Sequence, residues 1–401
     1  MTLAGVAARV GSSGLASAEL CPSAARSARF PDGLVEAGRG VAGAWLEGDV
    51  EKIDVVVIGA GQAGLSSAYF LRRFGLDPLV LDAAEGPGGA WRHRSPTLTM
   101  DKVHGVFDLP GSRREQEADG ERPAAAVVPA YYASYERDLG LEVLRPVEVS
   151  AVTRGPGERL TVTSGAGEWA ARAVVNATGT WTRPHWPYYP GARDFRGRQL
   201  HYAAYRGPEE FRGRRVVVVG GGNSAAHVLS ELAGVAAATL WVTRRPPVFR
   251  GDDFGESARR EAVALVEQRV RAGLPPQSVV AVTGLGYTTV VREALEKGAL
   301  ERLPMFARLT PDGVAWADGA EAAADTVIWA TGFRSALSHL APLHLREPGG
   351  GIAVDGTRVL AEPRLQLVGY GPSASTIGAN RAGRTAARNV RDLLATAAEA
   401  A

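Results

Sequence analysis

Ile53-Asp54-Val55-Val56-Val57-Ile58-Gly59-Ala60-Gly61-Gln62-Ala63-Gly64 decides how this chain folds. Ile53 to Ile58 is a β-branched run bounded by glycine, which reads as a buried parallel strand. The stretch from Gly64 to Phe74 has helical character, and Leu79 to Leu81 is a second buried strand. Gly59, Gly61 and Gly64 spell GxGxxG between the first strand and the helix. One glycine makes the tight turn, one lets the backbone approach a pyrophosphate, and one packs helix on strand. The helix start offers free N–H groups and partial positive charge to phosphates. Asp82 closes the second strand, where an acid holds ribose hydroxyls. GxGxxG alone is often only a tight turn. With both strands, the helix and the acid in place, Gly59, Gly61, Gln62, Ala63, Gly64 and Asp82 are candidate dinucleotide contacts.

The pattern recurs downstream. Arg215 to Val219 is a strand, Gly220-Gly221-Gly222-Asn223-Ser224-Ala225 is the loop, and helical character runs to Leu232. Ala225 replaces the third glycine, a tolerated variant. The next strand, Thr239 to Val242, leads into Thr243-Arg244-Arg245 rather than an acid. Two guanidinium groups there can bond a 2′-phosphate; the alternative is a solvated arginine pair in a loop. Gly220, Gly222, Asn223, Ser224, Arg244 and Arg245 are the second set of candidate contacts. The acid-tipped site suits the ADP half of FAD, and the arginine-tipped site suits NADPH. A hydride should pass from one to the other. The expected fold class is α/β with two Rossmann-like dinucleotide-binding domains.

Composition is consistent with this. The chain has 401 residues, 45% of them hydrophobic, which fills more than one core. Its 45 basic and 43 acidic residues give no electrostatic reason to invoke nucleic acid or an anionic membrane. No run approaches the roughly 18 apolar residues of a membrane span. The single cysteine, Cys21, cannot make an internal disulfide, a CxxC redox pair or a thiolate metal cage, so no metal is expected. Redox chemistry must therefore sit on an organic cofactor. Glu19 makes Cys21 unsuitable for lipid attachment, and Arg9 interrupts the only candidate signal core. A cytoplasmic monomer or homodimer is expected. Residues 1–51 carry no periodic pattern and are expected to be a disordered extension or the result of a start codon placed too early.

Further motifs resemble the class B flavoprotein monooxygenases, which include flavin-containing monooxygenases, Baeyer–Villiger enzymes and N-hydroxylases. Gly88-Gly89-Ala90-Trp91 is similar to their GGxW element, placing Gly89 and Trp91 near the flavin. Asn176-Ala177-Thr178-Gly179 and Trp329-Ala330-Thr331-Gly332-Phe333 resemble the two ATG segments where chain passes between domains, and the resemblance implies that Ala177, Thr178, Gly179, Ala330, Thr331 and Gly332 contact cofactor. Phe195 to Tyr205 fits FxGxxxHxxx-aromatic through Phe195, Gly197, His201 and Tyr205. The resemblance implies a structural and conformational role for His201 near the domain hinge. Leu367 through Gly378 is similar to the closing FAD segment, with a helix from Arg381 to Leu394.

The resemblance covers roughly residues 52–395 and implies an architecture. The FAD domain is split into residues 52–190 and 325–395, with the NADPH domain, 191–324, inserted between. Alternating strands at Val147 to Thr153 and Arg159 to Thr163 suit a meander over the flavin nucleotide, with Val149 a contact. The implied activity is NADPH- and O2-dependent oxygenation of a small organic substrate through a C4a-peroxyflavin. Tyr205-Arg206 stands where Baeyer–Villiger enzymes carry Trp followed by Pro or Asp, and their Asp-containing segment is not recognisable between Arg92 and Asp101. Both departures favour N- or S-oxidation. The alternatives are an NADPH oxidase or flavin reductase, a Baeyer–Villiger enzyme with a drifted motif, and a flavin-binding regulatory protein without turnover. Without CxxC, thioredoxin-reductase-like chemistry is excluded.

Overall fold

The computed structural model describes residues 50–103, 106–114, 120–250, 256–277, 284–374 and 376–399. The expectation for the extension lies outside these residues apart from its end, where Glu51 already pairs with Trp169.

Two parallel sheets organise the described chain. In the first, strand β1 (Glu51–Ile58) leads through the glycine loop into helix α1 (Gln62–Arg73) and strand β2 (Pro78–Leu81). Helix α2 (Ala124–Asp138) and the short β3 (Val143–Leu144) follow. A meander of β4 (Val149–Arg154), β5 (Leu160–Ser164) and β6 (Gly167–Asn176) then brings β6 parallel to β1. The strand Leu365–Leu367 pairs parallel to the other edge of β6. Burial explains the unbroken apolar run of β1. Val55 and Val57 face α1, α2 and the closing helix, while Val56 and Ile58 face the meander side, and none exceeds 4% exposure. A strand covered on both faces needs no polar alternation.

The second sheet repeats the plan. Strand β7 (Arg198–His201) is at one edge, and β8 (Arg215–Val219), helix α3 (Asn223–Leu232) and β9 (Ala238–Thr243) form the strand–loop–helix–strand unit. Three short antiparallel strands, Arg308–Thr310, Gly313–Ala315 and Glu321–Ala323, cover one face as the β4–β6 meander covers the first sheet. Thr326–Trp329 returns between β7 and β8, parallel to both. This corrects a return to the first domain at residue 325. Val327 lies opposite Val217 and Gln199, so this strand completes the second sheet, and the chain leaves only after Trp329.

The closing helix runs Thr376–Glu399, longer than Arg381 to Leu394, because neither Gly378 nor Gly383 interrupts it. It lies against α1 at close range. A Cβ on Gly383 would stand 2.6 Å from Ser66 Oγ and 2.8 Å from Ser67 N. Gly383→Val should therefore destabilise the fold by about 1–3 kcal/mol through overpacking. Gly165→Ala, whose Cβ would meet nothing within 4 Å, should stay within about 0.5 kcal/mol. Urea denaturation of both variants measures the contrast; equal midpoints would mean the helices can separate at no cost.

Candidate functional site

Each glycine loop is held by the same set of backbone contacts. Gly59 N donates to Leu81 O at 2.6 Å, and Gly220 N donates to Val242 O at 3.0 Å. Ala177 N donates to Ile58 O at 2.7 Å, and Ala330 N donates to Val219 O at 2.8 Å. The two Ala-Thr-Gly segments thus lie directly against the two loops. Gly59 has φ +99°, and a Cβ there would stand 2.7 Å from Ala177 O. Gly220 has φ +143°, and a Cβ would overlap Ala330 O. Only glycine meets both demands.

The middle glycines are different. Gly61 and Gly222 have ordinary negative φ. A Cβ on Gly61 would meet only Gly89 Cα, at 4.0 Å, and one on Gly222 would meet nothing within 4 Å. The protein's own packing does not require glycine at either place, whereas a close-lying phosphate does. Both helices start at an N-cap glycine that offers no side-chain cap, and neither has an acid in its first turn, so the capping side chain usual at a helix start is missing from both. Asn223 Oδ1 is buried without a hydrogen-bond partner.

Asp82 has a partner within the protein. It closes β2 and is 8% exposed, but Arg145 Nε donates to its Oδ2 at 3.0 Å. Arg145 also forks onto Glu136 at 2.7 and 2.8 Å. One carboxylate oxygen is therefore committed to the protein, leaving Oδ1, whose nearest donor is Ala84 N at 3.5 Å. The side chain of Val149 is buried in the cluster with Ile58 and Leu81, so its backbone is what it would offer a nucleotide.

Arg244 and Arg245 are both exposed at the end of β9. Their turn is braced by Thr243, whose Oγ1 donates to Arg245 O at 2.7 Å. Arg302 in turn donates to Thr243 Oγ1 at 2.8 Å and to Thr243 O at 3.1 Å. Its position on the neighbouring strand, far along the chain, gave sequence reading no signal.

The two chain crossings between the sheets are tied to each other. Thr178 Oγ1 of the first Ala-Thr-Gly donates to Ala336 O at 2.6 Å, beyond the second. Thr331 Oγ1 of the second donates to His185 O at 2.5 Å, beyond the first. Backbone bonds His185 N→Gly332 O, Arg334 N→Arg183 O and Ala336 N→Gly179 O complete an antiparallel pairing. His201 joins here. Its Nδ1 accepts from Ala203 N at 3.1 Å, so the proton sits on Nε2, which donates to Gly332 O at 3.0 Å. Burial lowers its pKa, and with both nitrogens occupied the ring is a neutral tie rather than an acid or base.

An aromatic column runs beside this knot. Gly89 adjoins the first loop, because a Cβ on it would stand 2.9 Å from Gly61 Cα. Two residues on, Trp91 ends the GGxW element. The Arg94 guanidinium carbon lies 5.3 Å from the Trp91 ring centroid and 4.4 Å from that of Trp181. Trp181 stacks on Phe333 at 4.8 Å, and Phe333 meets His201 edge-on at 5.0 Å. The column joins the first glycine loop to both crossings.

His339 was missed by the sequence reading. It is buried, and its Nε2 donates to Asn176 Oδ1 at 2.6 Å. Asn176 Nδ2 then reaches Thr178 Oγ1 at 3.1 Å, so His339 orders the first Ala-Thr-Gly. Burial pushes its pKa from 6.5 down to about 4. The folded protein keeps it neutral where the unfolded chain binds a proton. Stability should therefore be complete above about pH 6.5 and fall as pH drops towards 4, by on the order of 1–3 kcal/mol. His339→Gln, which keeps a donor for Asn176, should flatten that limb of the urea-midpoint profile; an unchanged limb would assign the proton elsewhere.

Residues 56–281 match the model of a family described as pyridine nucleotide-disulphide oxidoreductase. Among solved structures, a flavin-containing monooxygenase from Stenotrophomonas maltophilia is 43% identical, with a TM-score of 0.73, covering 85% of this chain and 98% of that one. An uncharacterized CzcO-like oxidoreductase of Geobacillus kaustophilus is 26% identical over 71% of this chain and 81% of its own length. Indole-3-pyruvate monooxygenase YUCCA1 of Oryza sativa subsp. japonica is 28% identical over 70% of this chain and 76% of its own length.

Proposed function

We propose, for a chain that belongs to the pyridine nucleotide-disulphide oxidoreductase family and within it to the flavin-dependent monooxygenases, that it oxygenates a nitrogen or sulfur atom of a small organic substrate with FAD, NADPH and O2. With one cysteine it has no dithiol pair for the disulphide chemistry in the family's description.

The observation that carries the reading is the pair of glycine loops, each leading into a helix without a side-chain N-cap and each with a middle glycine that its own packing does not need. FAD would lie on the first loop, against Gly59, Gly61, Gly64 and Oδ1 of Asp82, in the domain built from residues 52–190 and the segment after Trp329. NADPH would lie on the second, against Gly220, Gly222, Asn223 and Ser224, with Arg244 and Arg245 on the 2′-phosphate. When bound, FAD supplies the redox chemistry, accepting a hydride from NADPH and reacting with O2. The chain's own residues orient and shield. Trp91, Arg94, Trp181 and Phe333 pack in series beside the crossings, where they would limit the access of water to a bound flavin. His201 holds the hinge with both nitrogens engaged and moves no proton.

Arg206 supports the departure from Baeyer–Villiger chemistry. Its Nη1 donates to His93 O at 3.0 Å, tying the end of the histidine fingerprint to the GGxW helix. Pro or Asp at this position has no such donor, so the seam is built differently here.

Purified protein given NADPH and oxygen should oxidise a test amine or sulfide in proportion to NADPH consumed. Stoichiometric peroxide without product across amines, sulfides and ketones would replace this reading with an oxidase. Nucleotide choice is tested separately. Replacing Arg244 and Arg245 together with alanine removes charge-assisted bonds worth about 1.5–3 kcal/mol each, so KM for NADPH should rise at least about tenfold. NADH kinetics should hardly change; equal use of both nucleotides by the unmodified protein would defeat the assignment.

A further inference from the structure

We propose that Glu231 is the positioning residue that sets the second nucleotide site against the GGxW segment, an inference that rests on the functional reading above. Glu231 lies in the last turn of α3, whose first turn adjoins the second glycine loop. Its side chain is 10% exposed. Oε2 accepts from Tyr205 Oη at 2.7 Å and from Thr97 Oγ1 at 2.9 Å. Oε1 stands 3.2 Å from His227 Nε2, one turn back on the same helix, close but not aligned as a hydrogen bond.

These partners come from three separate parts of the chain. Tyr205 closes the histidine fingerprint, 1% exposed and stacked between Tyr202 and Phe211. Thr97 belongs to the segment after GGxW and is itself fixed by Ser95 Oγ at 2.8 Å. His227 carries the network back along α3, because its Nδ1 lies 3.3 Å from Tyr202 Oη. Tyr202 also lies close enough to Arg94 and to Ser224, at the second loop, for both to favour its ionised form against the effect of burial. Neighbouring polar groups on α3 and the histidine fingerprint therefore lead from the second glycine loop to Thr97, which follows GGxW at the first.

Stability gives no reason for an acid here. A buried carboxylate served by two hydroxyls and an imidazole, with no lysine or arginine, is a costly substitute for an apolar side chain. Burial alone would raise its pKa, yet the surrounding donors hold it below the usual glutamate value, so the carboxylate remains an acceptor. What the acceptor oxygen supplies is direction. It fixes the rotamers of Tyr205 and Thr97 and the roll of α3 about its axis. Hydride transfer between two bound nucleotides depends steeply on such register, since a misplacement of about 1 Å can cost around a hundredfold in rate.

The test is anaerobic stopped-flow reduction of the flavin-loaded, full-length protein by saturating NADPH. Glu231→Ala should slow reduction at least about tenfold while flavin content and absorption spectrum stay those of the unmodified protein. Glu231→Gln, whose amide oxygen still accepts from Tyr205 and Thr97, should recover most of the rate. Thr97→Val should slow reduction too, and the Thr97→Val/Glu231→Ala double variant should be no slower than Glu231→Ala alone, because both remove one connection. An unmodified rate in Glu231→Ala, or effects that multiply in the double variant, would overturn the proposal. Should Glu231→Ala not fold, Thr97→Val against Thr97→Ser decides: slowing by Val with rescue by Ser supports it, and an unaffected Val variant overturns it. Failure of NADPH to reduce the unmodified protein would instead count against the functional reading itself.

Discussion

The contact on which the site depends is between two carbonyl oxygens and two glycines. Ala177 O faces Gly59 and Ala330 O faces Gly220, each at a distance that excludes a side chain. Each Ala-Thr-Gly also donates its alanine N–H to the strand end that launches the loop. The strand returning from the meander is thereby joined to the turn that would hold a phosphate. Any side chain at Gly59 or Gly220 would push the loop away from its crossing and disturb both together.

Much of this was legible in the sequence because backbone geometry leaves local marks. A β-branched run, then glycines at fixed offsets, then a helical period can be read within twenty or so residues, and both sheets open on that unit. The Ala-Thr-Gly segments were legible for the same reason. What escaped was long-range and polar. Arg145 takes one oxygen of Asp82 from 63 residues away, His339 orders Asn176 from 163 residues away, and Arg302 braces Thr243 from a neighbouring strand. Charge and hydrogen-bond partners carry no period, so nothing local identifies them. The return boundary was misread for a related reason. Thr326–Trp329 has the same apolar pattern whichever sheet it joins, and only its pairing with β7 and β8 decides.

Cost is distributed unevenly over the molecule. The sheets are covered by valine, leucine and alanine on both faces, with little that a small change could upset beyond lost packing. The seam is different. Arg94 with an unsatisfied Nε, the triad of Asp82, Arg145 and Glu136, and the carboxylate of Glu231 are buried polar groups that an apolar filling would make cheaper to fold. They lie on the segments that follow β2, GGxW and the second glycine loop. Local compromises of this kind concentrate where structure answers to something besides stability.

The reciprocal ties between the crossings also bear on chain connectivity. Residues 183–185 and 332–334 are antiparallel neighbours, so the entire second sheet leaves and re-enters the first half through two adjacent strands. Loop-closure entropy depends on how far apart the ends of an excursion must be held, and it grows only slowly with length. Here the ends are pinned side by side by the protein's own hydrogen bonds. By that scaling the long inserted partner costs the first half only about 3 kcal/mol more in loop-closure entropy than a short hairpin at the same place, although it is many times longer.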